Sequence, residues 1–132
     1  MPRPRRMFAL AAGAALVLAP LAVAATPAAA ATPTVALVGS LQSELGCSDD
    51  WQPACADTEL ARIGDSPLYR ATFDVPDGSY EFKVALDDSW AVNYGAGGAF
   101  DGPNMPLVLE GPATLEFTYD HTTHLTTFTP MG

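Results

Sequence analysis

Positive charge is scarce in this chain and unevenly placed. Of its six Lys and Arg residues, Arg3, Arg5 and Arg6 fall within the first six positions. From residue 32 onward three basic side chains face fifteen acidic ones, a net charge of −12. Such a surface repels phosphate backbones, which excludes nucleic acid as a partner. It repels anionic lipid for the same reason. A cationic partner, a metal ion or a neutral ligand remains open. After Ala24 no apolar run approaches the length of a membrane-spanning helix. Two cysteines cannot hold a structural zinc by themselves. No G-x-S-x-G elbow, H-E-x-x-H pair or phosphate-binding glycine loop occurs, which removes the commonest enzyme signatures. From Thr34 onward no window keeps the period of an amphipathic helix. The length of 132 residues allows one domain.

What is present begins with a leader. MPRPRR is basic, Met7 to Ala24 is an apolar run rich in Ala, Leu and Val, and small residues follow. This is the layout of a secretory signal peptide. A membrane anchor is the rival, but the run is interrupted by Pro20 and followed at once by A-x-A sites. Cleavage is expected after Ala31, with Ala24 as the other site. Residues 32–132 then form a single exported module, with no membrane attachment after cleavage. Outside the cytosol, Cys47 and Cys55 most simply form one disulfide. They lie too close in sequence to join two sheets, so they are expected to staple the loop from Gly39 to Thr58.

Short alternating runs broken by Gly, Pro and Asp predict strands at residues 34–38, 59–63, 68–75, 79–86, 90–94, 107–109, 113–119 and 124–129. Tyr69, Ala71, Phe73 and Val75 share one face of the third run. Tyr80, Phe82, Val84 and Leu86 point inward from the fourth, with Glu81 and Lys83 outward. Pro76-Asp77-Gly78 between them is a turn signal, and the two runs are read as a hairpin. Val35, Leu37, Leu68, Leu107, Leu109, Leu115, Phe117 and Phe128 join the candidate core. The fold class is all-β, an antiparallel immunoglobulin-like β-sandwich of seven to eight strands.

Chemistry has few places to reside. His121 and His124 have H-x-x-H spacing but flank a turn, so they read as turn histidines. Asp49-Asp50, Asp87-Asp88 and the stretch Asp101 to Asn104 offer oxygen ligands without the EF-hand spacing, and solvated turn acids are the default. No metal or other cofactor is expected, and no catalytic residue is assigned. Sugar binding needs exposed aromatic faces and hydrogen-bonding side chains beside them. Trp51, Trp90, Tyr94 and Phe100 fall outside the alternating strand pattern. Trp90 has two readings, a sandwich-core filler or a stacking platform. Trp51 has two as well, packing over the disulfide or facing a ligand.

Three stretches carry a resemblance: GSLQSELGCSDDWQPAC at 39–55, SYEFKVALDDSWAVNYGAGGAFDGPNMPL at 79–107 and TYDHTTH at 118–124. In this order they resemble the X25-type accessory module found beside the catalytic domains of bacterial pullulanases and amylopullulanases. The resemblance covers about residues 34–130, here with a leader and no catalytic barrel. It implies an immunoglobulin-like sandwich associated with α-glucan breakdown, similar in outline to starch-binding modules. It does not imply catalysis. The expected function is a secreted, non-catalytic module that binds starch, pullulan or maltooligosaccharide. Its sugar contacts are expected at Trp90, Asn93, Tyr94 and Asn104, with Trp51 in support. The alternative is a structural or interaction module that docks onto an extracellular amylolytic enzyme or a cell-wall partner.

Overall fold

The computed structural model describes Thr32–Gly132. The expected leader, Met1–Ala31, lies outside the described residues. Eight strands form: β1 (Val35–Gly39), β2 (Glu59–Arg62), β3 (Leu68–Val75), β4 (Gly78–Leu86), β5 (Asn93–Tyr94), β6 (Met105–Leu109), β7 (Ala113–Asp120) and β8 (Thr126–Pro130). Every pairing is antiparallel. The helical content of the described residues is three short 3₁₀ turns, at Gln42–Leu45, Ala56–Thr58 and Ala96–Gly98.

One continuous sheet carries all eight strands and curls into an immunoglobulin-like sandwich. In one half β4 is central: β1 lies along one edge, and β5 and β6 share the other. In the other half β7 lies between β3 and β8. The short β2 pairs with both β1 and β3, so the two halves are joined rather than separate. The core fills the space between them. Phe82 of β4 meets Phe117 of β7 edge-to-face, with ring centroids 5.5 Å apart. Val35, Leu37, Tyr69, Val84, Leu86, Leu107, Leu115 and Tyr119 close around that pair. Burying each such side chain stabilises the fold by about 2 kcal/mol.

The hairpin expected between residues 68–75 and 79–86 does not form. β3 pairs with β2 and β7, whereas β4 pairs with β1, β5 and β6. Pro76 and Asp77 instead carry the chain from one half of the sheet to the other. Gly78 takes φ 151° there, and the Tyr80 hydroxyl donates toward the carbonyls of Pro76 and Asp77, at 3.0 and 3.2 Å. Each strand has one strongly apolar face, and the two faces are better buried across the core than left in a single layer.

Smaller departures have local causes. Phe128 touches Phe82 and Phe117 but sits on the edge strand β8 and stays partly exposed. Leu68 is half-buried at the start of β3. The expected strand at 90–94 shrinks to Asn93–Tyr94 because Asp87 and Asp88 both adopt positive φ and turn the chain away from the sheet. β1 is buried on both faces, so something must cover its outer side. That cover is the loop between β1 and β2.

Candidate functional site

The registers Ala36↔Ala85, Val38↔Lys83 and Ala85↔Asn93 put these five side chains on the outer face of the β1–β4 half. Ala36, Val38 and Ala85 form a small apolar floor, and Trp51 packs on it. The loop that delivers Trp51 is tied down from three directions. Cys47 and Cys55 form the expected disulfide, with Cα atoms 6.0 Å apart. Fully buried Gln42 accepts from the Gln52 amide at 2.7 Å and donates to the Gln52 carbonyl at 2.8 Å. It also accepts from Gly39 N–H at 3.3 Å and donates to Thr58 Oγ1 at 3.1 Å. Trp51 N–H donates to the Gly39 carbonyl at 3.3 Å. Gly39 is required at that point, because a Cβ there would collide with the Glu81 carbonyl.

Trp51 itself holds φ 58°, a left-handed conformation that a bulky residue rarely adopts. The strain aims the indole at the outer face. Trp90 arrives from the other side, just past the Asp87–Asp88 turn, and is 40% exposed. It is therefore not a core filler. The two indoles lie with centroids 6.4 Å apart and planes tilted by 33°. Beside Trp51 runs an open groove of about 620 Å³, walled by the disulfide, Ser48, Gln52, Asp57 and Asp88.

The remaining candidates separate. Asn93 lies on the same face as the tryptophans but is only 4% exposed. Its amide nitrogen donates to the Trp90 carbonyl at 2.9 Å and toward Asp101 Oδ1 at 3.4 Å. Asn104 is exposed and donates to Glu81 Oε2 at 3.2 Å. Tyr94 follows Asn93 in a strand and so points the opposite way. It stacks flat on His124 at 3.9 Å, with Phe100 set edge-on at 6.1 Å. Next to this stack, buried Tyr119 shares a 2.9 Å hydrogen bond with His121 Nδ1. Burial pushes the Tyr119 hydroxyl well above its ordinary pKa, and the neighbouring Tyr94, Tyr69 and Asp120 add to the shift. The structure thus gathers Trp51, Trp90 and Asn93 at one place and sets Tyr94 apart.

Two residues at the site were not singled out from sequence. Gln42 looks like an ordinary polar residue of a turn, yet it organises the loop. Lys83 was expected outward. It does lie on the outer face, but it is only 8% exposed, and its ammonium faces Asp101 Oδ1 at 3.9 Å. Among the described residues no three His, Cys, Asp or Glu side chains converge as a metal site. No helix of the described residues is long and apolar enough to cross a membrane.

Residues 34–126 match the family model of the pullulanase X25 domain. The chain belongs to this family. The X25 domain is 40% identical over 88 residues to the amylopullulanase of Thermoanaerobacter thermohydrosulfuricus, covering 67% of this chain and 6% of that protein. It is 39% identical over 88 residues to the amylopullulanase of Thermoanaerobacterium saccharolyticum, covering 67% and 7%. Among solved structures it resembles pullulanase from Bacillus acidopullulyticus, with TM-score 0.66 and 35% identity over 75% of this chain and 12% of that one. The X25 domain therefore corresponds to a small accessory module of much larger amylolytic proteins.

Proposed function

We propose that this X25 domain is a secreted, non-catalytic module that binds α-glucan on the face carrying Trp51 and Trp90. The observation that carries this reading is the indole pair itself. Two large aromatic rings stand 6.4 Å apart; Trp90 is 40% exposed, and Trp51 lines an open groove. The C–H faces of pyranose rings stack on such surfaces, and hydroxyls at their edges seek nearby amides and carboxylates. A tilt of 33° between the planes suits a chain whose successive sugars turn relative to one another. A neutral polysaccharide also fits a surface of net charge −12 better than any anion would. The basic, then apolar, leader supports export, and the amylopullulanase relatives supply the substrate class. Exposed Asn104, bonded to Glu81 of β4, is our candidate for a further sugar contact. In this reading Tyr94, packed on His124 and Phe100, supports the adjoining loop rather than touching the sugar.

The same relatives favour one second reading, attachment to an extracellular amylolytic enzyme, because their matched segments are parts of much longer proteins. Co-sedimentation with insoluble starch separates the two. The glucan reading expects retention of the protein on starch and release by soluble maltooligosaccharide. A folded protein that stays in the supernatant contradicts it and leaves the docking reading.

A further inference from the structure

Lys83 is one of three basic residues beyond residue 32, and it is largely buried on an outer sheet face. Its side chain is only 10% accessible, so its ammonium has few routes to solvent and gains from a nearby acceptor. Its partner, Asp101 Oδ1, lies at 3.9 Å, beyond hydrogen-bond reach. Asp101 is itself mostly exposed, with its side chain 76% accessible. It is fixed in place by its own N–H, which donates to the Asn93 carbonyl at 2.9 Å, and by the Asn93 amide on Oδ1 at 3.4 Å. It holds φ 50°, a left-handed conformation. Asn93 Oδ1, buried in the same cluster, has no partner among the described residues. The cluster is thus rigid, charged, open on the Asp101 side and short of hydrogen bonds. Asn93 also holds the Trp90 carbonyl at 2.9 Å, which makes the cluster continuous with the aromatic face.

We infer that Asp101, backed by Lys83, is the hydroxyl-reading group of this face and takes a vicinal diol, the 2- and 3-hydroxyls of an α-1,4-linked glucose. This rests on the glucan-binding reading of the same face. An ionised carboxylate has two oxygens spaced to accept from two adjacent hydroxyls, and such charge-assisted bonds are the strong ones. A hydroxyl oxygen held there can accept from the Lys83 ammonium, which stands 3.9 Å from the carboxylate and makes no hydrogen bond to it. The ammonium in turn offsets the carboxylate charge, so the pair suits a neutral ligand. Stacking on the indoles tolerates many sugars, whereas the Asp101–Lys83 pair selects the edge that is presented.

The test is calorimetric titration of the protein with maltoheptaose, and with maltoheptaose methylated either at the 2- and 3-hydroxyls or at the 6-hydroxyls. Asp101→Asn is the main variant, because asparagine tolerates left-handed backbone and still accepts the Asn93 bond. The expected result is an affinity roughly tenfold lower in Asp101→Asn, with an unchanged thermal midpoint. Lys83→Met is expected to lose affinity in the same direction, and Glu116→Gln, a charge change on β7 in the other sheet half, to lose none. The unaltered protein should discriminate against the 2,3-methylated ligand but not the 6-methylated one, and Asp101→Asn should lose that discrimination. Equal affinity and unchanged discrimination in Asp101→Asn overturn the inference while leaving the glucan reading in place. No maltoheptaose binding by the unaltered protein removes both.

Discussion

The side chain of Gln42 grips the backbone of Gln52 from both sides, accepting its N–H at 2.7 Å and donating to its carbonyl at 2.8 Å. Gln52 is the neighbour of Trp51, so this clasp sets where the indole can go. A fully buried amide with each of its oxygen and nitrogen atoms engaged twice is stabilising only while every partner is present.

Replacing Gln42 by leucine strands the Gln52 backbone groups, the Gly39 N–H and the Thr58 hydroxyl in a dry site. The expected loss is about 2–4 kcal/mol of folding stability. Urea unfolding of the variant checks it, and an unchanged midpoint would contradict the assigned role. Starch retention should fall as well, because Trp51 loses its support.

The two tryptophans should differ in what they do for stability. Trp90→Ala removes a 40% exposed ring, so its cost in stability should stay near 1 kcal/mol. Trp51→Ala uncovers Ala36, Val38 and Ala85 and should cost about 2–3 kcal/mol. Each is expected to weaken starch retention roughly tenfold, since aromatic stacking contributes about 1 kcal/mol or more. Thermal melts and depletion isotherms measured side by side separate the two effects.

Reducing the disulfide between Cys47 and Cys55 releases a short loop. In the chain-entropy account the loss is about 2.5 kcal/mol. Urea melts with and without reductant give the number directly. The Phe82–Phe117 pair holds the inner core and belongs to β4 and β7 rather than to this loop, so the reduced protein should remain a cooperative fold with a lower midpoint.

Alkaline pH should destabilise the fold through Tyr119 and, less strongly, Tyr80. Both hydroxyls are raised above the ordinary tyrosine value of 10.0, chiefly by burial. The neutral form is thus favoured in the folded state. That contribution is complete below the unfolded value and is lost as pH climbs above it toward the folded one, because the unfolded chain releases its protons first. Stability measured across this range should be flat below about pH 9 and fall above about pH 10. Tyr119→Phe should flatten the fall, although it forfeits the hydrogen bond with His121.

The strands were largely legible because alternation is a local signal. Tyr80, Phe82, Val84 and Leu86 marked the inner face of β4, and the structure begins that strand one residue before the expected start. Alternation names a face but not a partner, so it reads β3 and β4 as neighbours although they belong to opposite halves. A Pro-Asp-Gly turn serves either arrangement. The site was less legible for the same reason. Asn93 and Tyr94 are adjacent in a strand, which by itself forbids a shared platform. Trp51 depends on a left-handed backbone and on a bond to Gly39, neither of which has a local pattern. Alternation puts Lys83 on the outer face, where it lies, but its burial comes from segments distant in sequence. Gln42 and Asp101 become visible only when the folded loops meet.

Trp51 and Trp90 are the two tryptophans of the chain, so indole signals report on the proposed face alone. The most direct measurement is a ¹H–¹⁵N spectrum of the protein during titration with maltoheptaose. A glucan-binding face predicts that both indole N–H resonances shift together and saturate. Two indole resonances that stay fixed at saturating maltoheptaose, in a protein whose amide spectrum shows it folded, would contradict the account.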